Sequence, residues 1–388
     1  MTEWRKVKLG DVCEISAGGD RPQLVSDKET DICHVPIYSN GVDNDGLYGF
    51  TDKEKIKGNS ITITARGANV GTVFYRKTAY YPIIRLLSLQ PNEELVNSRY
   101  LYYLIKDKTF LSTGSAQPQI TVPNISKYVI EYDPDVVVQR RIAEVLSRYD
   151  ALIENYQRQI KLLEEAAQRL YKEWFVDLRF PGHQSTPIIN NLPQSWQKKK
   201  IADVCDTIGG GTPSTKNASY YEGGDIKWVT PTDITQSKSL CLLDTEKKIT
   251  EEGLSNSSAK MLPPGTILMT SRASVGFFGI CDFEVCTNQG FISCVPFKKE
   301  FQMYLLFNLR NRVDEIRGKA GGSTYLEISK RVFRELDIIC PDTRVLLDFQ
   351  ERAHSILEMI RNNTVQIRNL SEARDRLLPK LMSAEIEV

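Results

Sequence analysis

Residues 138–174 read VQRRIAEVLSRYDALIENYQRQIKLLEEAAQRLYKEW. Within them Ile142, Leu146, Tyr149, Ile153, Tyr156, Ile160, Leu163, Ala167, Leu170 and Trp174 follow one another in alternating steps of four and three. That is a heptad seam, narrower than the apolar face of an ordinary surface helix. A seam so narrow predicts a partner helix.

The far end of the chain offers one. Leu346, Phe349, Ala353, Ile356, Ile360, Asn363, Ile367, Leu370, Arg374, Leu377 and Leu381 step in the same way, broken only by the polar Asn363 and Arg374. With about 170 residues between them, each helix has room to follow its own globular unit, and the two can close into an intramolecular coiled coil. Two unrelated surface helices are the alternative. Asn363 either fixes helix register or lies at a frayed part of the coil, and the basic face of residues 368–380 is a candidate surface for a partner subunit.

A chain of 388 residues is too long for one modest core, so two domains with connections are expected. Hydrophobic content of 41% and charged content of 26% fit an ordinary soluble protein. There is no run of membrane-span length, and residues 1–8 are too charged to open a signal peptide, which predicts a cytoplasmic protein without a membrane partner. Eight scattered cysteines with no CxxC pair signal neither a disulfide framework nor a zinc site. The net charge of +1 excludes a generally basic, histone-like binder but leaves room for basic patches.

The chain repeats itself. WRKVKLGDVCEISAGG (4–19) and WQKKKIADVCDTIGGG (196–211) share eight of sixteen positions at a fixed offset of 192, where unrelated sequences share about one. Further on, ITITAR (61–66) answers ILMTSR (267–272), and Gly114-Ser115 with Ile120 answers Gly322-Ser323 with Ile328. Each copy holds short β-branched and aromatic runs between Gly, Asn, Asp and Pro turns, with helical patterns at 98–106 and 302–317. The expectation is a mixed α+β domain with a curved sheet, followed each time by a long helix. Residues 179–195 hold three prolines and no periodicity, and read as a surface linker.

Certain segments resemble a known family. GGGTPSTKNASYYEGGDIKWVTPTDI (209–234), TSRASVG (270–276) and GSTYLEIS (322–329) are similar to a target-recognition domain of type I restriction–modification specificity subunits. The first half resembles another subtype through PIYSNGVDNDGLYGF (36–50), TARGANVGT (64–72) and GSAQPQI (114–120), while QRRIAEVLSRYDALI (139–153) and RLYKEWF (169–175) resemble the family's central helix. The resemblance implies an α+β fold: target-recognition domains at 1–137 and 196–343, a central helix at 138–178, the linker at 179–195 and a C-terminal helix at 344–388. The two helices would form an antiparallel coiled coil between the domains. It implies a subunit with no catalysis of its own, reading a split, asymmetric site on double-stranded DNA. Two methyltransferase (modification) subunits and restriction subunits would be its partners, and S-adenosylmethionine, ATP and Mg would belong to them, none bound by this chain. A helix over 142–174 would span about 50 Å at 1.5 Å per residue, enough to act as a ruler across a DNA turn of about 34–36 Å.

The candidate DNA-binding residues follow from side-chain chemistry in loops. Arg66 and Arg272 each end a β run. Either one presents a guanidinium to guanine or phosphate, or it fixes its own loop by bonding carbonyls or a carboxylate. The glycine-rich stretches 17–19 and 209–211, with Thr212, Ser214 and Lys216, allow a close phosphate approach or a plain turn. Tyr38, Asn40, Gln117, Gln119, Thr232, Thr324 and Tyr325 carry the groups that base edges require, although most such loop residues face water. Arg21, where the second copy has Pro213, and Asn69 and Ser274 beside the two arginines complete the set. Lys198, Lys199 and Lys200 either steer toward DNA or form a solvated edge, and His34, His183 and His354 have no partner at ligand or triad spacing. There is no Walker A sequence, no HExxH and no amino-methyltransferase motif. The rival readings are a protein-binding scaffold and an enzyme with Cys286 or Cys294 as nucleophile.

Overall fold

The computed structural model describes residues 4–67, 69–111, 118–322 and 325–388. They divide into two compact units, Met1–Ala151 with Ser371–Val388, and Leu152–Leu370. Each unit is discontinuous or bounded in mid-helix, because both long helices contribute to both units.

Unit 1 contains β1 (Arg5–Lys8), β2 (Cys13–Ala17), β3 (Val35–Tyr38), β4 (Leu47–Thr51), β5 (Ser60–Ile63), β6 (Val73–Arg76), β7 (Tyr81–Pro82), β8 (Leu87–Pro91) and β9 (Val129–Tyr132). Residues 179–195 carry a short hairpin, β10 (Ile188–Ile189) with β11 (Leu192–Pro193). Unit 2 contains β12 (Gln197–Lys200), β13 (Cys205–Gly209), β14 (Ile226–Val229), β15 (Lys247–Ile249), β16 (Ile267–Thr270), β17 (Phe278–Ile280), β18 (Cys286–Thr287), β19 (Phe291–Pro296) and β20 (Asp337–Cys340).

The two units have one topology. The four-stranded sheets run β2-β8-β5-β6 and β13-β19-β16-β17, and the three-stranded ones β4-β3-β7 and β15-β14-β18. A separate antiparallel pair, β1 with β9 or β12 with β20, completes each unit. The expected single curved sheet is thus three small ones. The reason lies in long-range pairing: β3 and β7 run parallel, as do β14 and β18, and a parallel pair needs a long crossover that the local pattern does not show. Every residue of β5 and of β16 is buried, so both faces of these strands are covered and their sequences are apolar or small throughout.

Helix Ser98–Ile105 starts where the Asn97 side chain accepts from the Tyr100 N–H at 3.1 Å, a regular N-cap. In unit 2 the expected helix over 302–317 is two helices, Gln302–Asn311 and Val313–Gly318. The break is at Arg312, whose guanidinium binds Glu315 at 2.7 and 2.8 Å and also donates to the Asp337 carbonyl.

The heptad helices are Val136–Tyr171 and Thr343–Met382. They run antiparallel in both units. In unit 1 Arg141 reaches the Val388 carbonyl and Asp150 meets Arg374; in unit 2 Gln159 meets Asn363 and Trp174 packs on Phe349 with ring centroids 5.9 Å apart. The seams do more than face each other. Ile142, Leu146, Leu378 and Leu381 share one buried cluster with Leu9, Ile61, Leu101 and Ile130. Ile160, Ala167, Tyr171, Trp174, Leu346, Phe349, Leu357 and Ile360 share another with Ile267, Tyr304 and Phe307. Leu163, Leu170, Ile356 and Ile367 pack against the edge of that second cluster, as Leu377 does in the first. Tyr149, Tyr156 and Leu370 are half-buried. Each helix therefore completes a domain core as well as a helix pair, at roughly 1.5–3 kcal/mol for each large apolar side chain removed from water.

The first helix continues through a π turn, Lys172–Val176, where Phe175 packs on Trp196, Tyr304 and Phe349 with centroids 5.8, 4.7 and 4.9 Å away. The connection after it is anchored rather than draped: Phe180 is 2% exposed and stacks on Trp196 at 5.0 Å. No helix among the described residues is long and apolar enough to cross a membrane.

Candidate nucleic-acid interface

In unit 1, five loop segments are sewn together by hydrogen bonds. Gly18 N–H donates to the Leu86 carbonyl at 2.8 Å, and the Arg85 and Ile84 N–H groups donate back to the Gly18 and Gly19 carbonyls at 2.9 Å each. Ile83 N–H donates to the Tyr38 carbonyl at 2.9 Å. The Asn40 amide then ties the remaining segments: its Nδ2 donates to the Ile84 carbonyl and its Oδ1 accepts from Ala65 N–H at 2.7 Å. Ala65 in turn accepts from Ile120 N–H, and Arg66 donates to Gln119 Oε1 at 3.2 Å.

Unit 2 joins the corresponding segments, sharing two of these bonds in equivalent form, Asn288 to Val229 and Ile328 to Ser271, and differing in others. Gly211 N–H donates to the Thr287 carbonyl at 2.9 Å, and Asn288 N–H to Val229 at 3.0 Å. Ser271 accepts from Ile328 N–H at 3.0 Å and donates to the Gly290 carbonyl at 2.7 Å. Arg272 bridges to Glu327, with Nε 3.6 Å from Oε2. Arg66–Gln119 and Arg272–Glu327 are equivalent cross-loop pairs, so each arginine holds its loop to a later segment. Thr212 donates to the Gln289 side chain.

The glycine pairs belong to this framework. A Cβ on Gly18 would lie 2.8 Å from the Ile83 nitrogen, and one on Gly210 would lie 2.1 Å from the Thr287 oxygen. The geometry supports the turn reading at Gly18, Gly210 and Gly211, where neighbouring backbone fills the space, whereas a Cβ on Gly19 would meet only Lys55 Nζ at 3.6 Å.

The candidate residues separate by position. Tyr38 is covered by the buried Arg76, whose guanidinium carbon sits 3.6 Å from the ring centroid. Burial lowers the Arg76 pKa, opposed by Tyr38, Tyr80 and Asp45. Tyr38 and Asn40 are half-buried, the ring against Arg76 and the amide bonded to Ile84 and Ala65, so both also hold the framework together. Arg66 and Gln119 are half-buried. Arg21, Asn69, Thr212, Ser214, Lys216, Thr232, Arg272, Ser274 and Tyr325 are exposed, Tyr325 at 61%. Arg21 donates to the Tyr48 hydroxyl at 3.2 Å, and Ser274 N–H donates to the Arg272 carbonyl at 2.8 Å. Ser214 and Lys216 lie on the β13–β14 connection, and Thr232 on the short helix Pro231–Thr235. Gln117 and Thr324 lie outside the described residues.

Two exposed positions in the same loops, Arg85 and Gln289, carried no turn or motif signal strong enough to single them out. Ile84 and Arg85 adopt left-handed backbone at φ 53° and 60°, costly for a β-branched residue. Nothing in IIRLL (83–87) announces that.

The cysteine nucleophile reading has no support in the geometry. Cys286 and Cys294 are fully buried; burial pushes the Cys286 thiol up to about 12, while the neighbouring Cys205 and burial hold Cys294 well above the ordinary range. A thiol so shifted offers almost no thiolate at neutral pH. Among the described residues no group of three or more His, Cys, Asp or Glu is arranged to hold a metal ion.

A family model described as the type I restriction modification DNA specificity domain matches residues 1–165 and again 193–373. The chain belongs to that family. The type I restriction enzyme HindI specificity subunit of Haemophilus influenzae is 23% identical over the full length of both chains. The type I restriction enzyme MjaIX specificity subunit of Methanocaldococcus jannaschii is 37% identical over 155 residues, 39% of this chain and 36% of that one. The crystal structure of a type I restriction–modification S subunit from M. genitalium shares the fold, with a TM-score of 0.59, 15% identity and coverage of 98% and 96%. As a type I specificity-family chain, this protein shows how sequence repeat and folded unit differ: residues 152–165 belong to the first family match but pack in unit 2.

Proposed function

We propose that this chain is the DNA sequence-specificity subunit of a type I restriction–modification complex. The observation that carries the reading is the repeated loop framework, identical in topology in the two units but different in its exposed side chains, within a family named for DNA specificity. A common scaffold with divergent surface residues is what two readers of different half-sites require. Residues 1–137 and 196–343 serve as the target-recognition domains, and the gap between half-sites would be a property of the two long helices. Methylation and cleavage belong to other chains: two modification subunits and the restriction subunits, which hold S-adenosylmethionine, ATP and Mg. Base flipping takes place in the modification subunit. The complex works in the cytoplasm.

The test is methylation mapping. The chain is expressed with its cognate modification subunit in a methylation-free host, and the DNA is sequenced for modified bases. Two short defined halves around a fixed gap are expected. Assembly of the complex without any modified motif would move the scaffold reading ahead.

A further inference from the structure

We infer that the turn between β7 and β8, with Arg85 at its tip, and the equivalent turn between β18 and β19, with Gln289 at its tip, read bases in the two half-sites. The inference rests on the DNA-specificity reading and names residues within it.

The two turns occupy one place in the repeat. Tyr81–Pro82 runs parallel to Ile37–Tyr38, and Cys286–Thr287 runs parallel to Trp228–Val229. Five residues after Pro82 and five after Thr287 the chain is paired in the four-stranded sheet, Leu87 with Ala17 and Ile292 with Gly209. Gln289 therefore stands where unit 1 has Ile84, and Gly290 where it has Arg85.

The framework invests in holding these turns. In unit 1 the N–H groups of Ile83, Ile84 and Arg85 are all bound, and Asn40 binds the Ile84 carbonyl. Two consecutive left-handed residues, neither of them glycine, are kept in place this way, and strain retained by such over-determination is a mark of a working segment. In unit 2 the turn is tied through Asn288 N–H and the Gly290 carbonyl.

What the turns present is free to act. Arg85 is exposed, and its guanidinium makes no hydrogen bond or ion pair among the described residues. Beside it Ile84 is 55% exposed, an apolar group suited to a thymine methyl. Gln289 is exposed, with its Oε1 accepting from Thr212, which orients the amide and leaves its N–H groups as donors. Arginine suits the O6 and N7 of guanine and glutamine suits adenine. A grip on phosphate would ask the same chemistry of both units, since the phosphate backbone is the same in every sequence. These positions instead differ while the strand topology around them is shared.

The experiment uses the full chain with its modification partner, mapping methylated sites for wild type, Arg85→Ala, Arg85→Lys and Gln289→Ala. Arg85→Ala and Arg85→Lys are each expected to relax one position of one half-site, with discrimination there falling roughly five- to hundredfold and the other half unchanged. Gln289→Ala is expected to relax a position in the other half only. A uniform loss of methylation with the motif intact in Arg85→Ala, restored by the charge-keeping Arg85→Lys, would make the residue a phosphate contact and overturn the inference. Motif and methylation level both unchanged would overturn it as well. Should Arg85→Ala fail to assemble, the lysine variant and Gln289→Ala carry the same test. A wild-type complex that marks no split motif would sink the specificity reading itself, a result distinct from a wild-type motif that the variants leave alone.

Discussion

The Arg374 guanidinium donates to Asp150 Oδ1 at 2.7 Å, joining the two long helices inside unit 1, while the other Asp150 oxygen accepts from the Tyr103 hydroxyl. Burial alone would lower the Arg374 pKa, but Asp375 and Asp150 outweigh it and hold the guanidinium firmly charged. In the sequence Arg374 looked like a flaw in the second seam. It is the seam's ionic contact with the first helix and with the domain.

Arg374→Ala leaves Asp150 about one-quarter exposed without its cation. The expected loss is about 2–4 kcal/mol in chemical denaturation, with part of it recovered when Asp150 is also replaced by Leu. A cost under half a kcal/mol would mean that solvent already screens the pair.

Gly210→Ala pushes a methyl group onto the Thr287 and Asn288 oxygens, at 2.1 and 2.2 Å, whereas the space beside Gly209 is open. The first substitution is expected to cost about 2–3 kcal/mol and the second less than about 0.5 kcal/mol. Thermal melting of the two variants side by side checks the contrast, and equal melting would show that the turn yields easily.

Thiol chemistry gives a third prediction. Burial, the leading cause in each case, holds Cys13, Cys241, Cys281 and Cys286 at about 12. Cys340 is half-buried, and burial raises its thiol as well. Iodoacetamide at pH 8 followed by peptide mass mapping should label Cys340 first and the other four only after unfolding. Rapid native labelling of Cys286 would reopen the nucleophile question.

Asp337 accepts from Lys198 and Lys200, each at 2.8 Å, and these two lysines hold its carboxyl at about 2. Because the folded value lies below the ordinary value of about 4, the stabilisation is present above pH 4 and is lost as pH falls through 2. Asp337→Asn should therefore melt below wild type at pH 6, with the gap closing on acidification toward pH 2. A gap that stays constant across that range would assign the effect to packing.

What could be read from the sequence was what repeats or recurs locally. The seams from Ile142 and from Leu346 announce themselves by spacing, and the second copy of WRKVKLGDVC fixes the doubling. Contacts between distant residues were hidden. Asn40 looked like a free loop amide because its partners, Ala65 and Ile84, lie 25 and 44 residues away. The separation into three small sheets depends on parallel pairings of the same kind. The left-handed pair Ile84–Arg85 was invisible for another reason: the strain is imposed by the surrounding framework, and no glycine or asparagine advertises it. Phe180 sat in a segment whose prolines spoke only of a connector.

Unit 1 closes only when residues 371–388 join residues 1–151, and this bears on the order of folding during synthesis. A ribosome adding about 5–20 residues per second needs on the order of ten seconds or more to make the intervening segment. Through that interval the cluster around Ile142 and Leu146 lacks Leu378 and Leu381. Unit 2 can close first, and the nascent amino-terminal half waits with an open apolar groove until the strand of chain that seals it emerges.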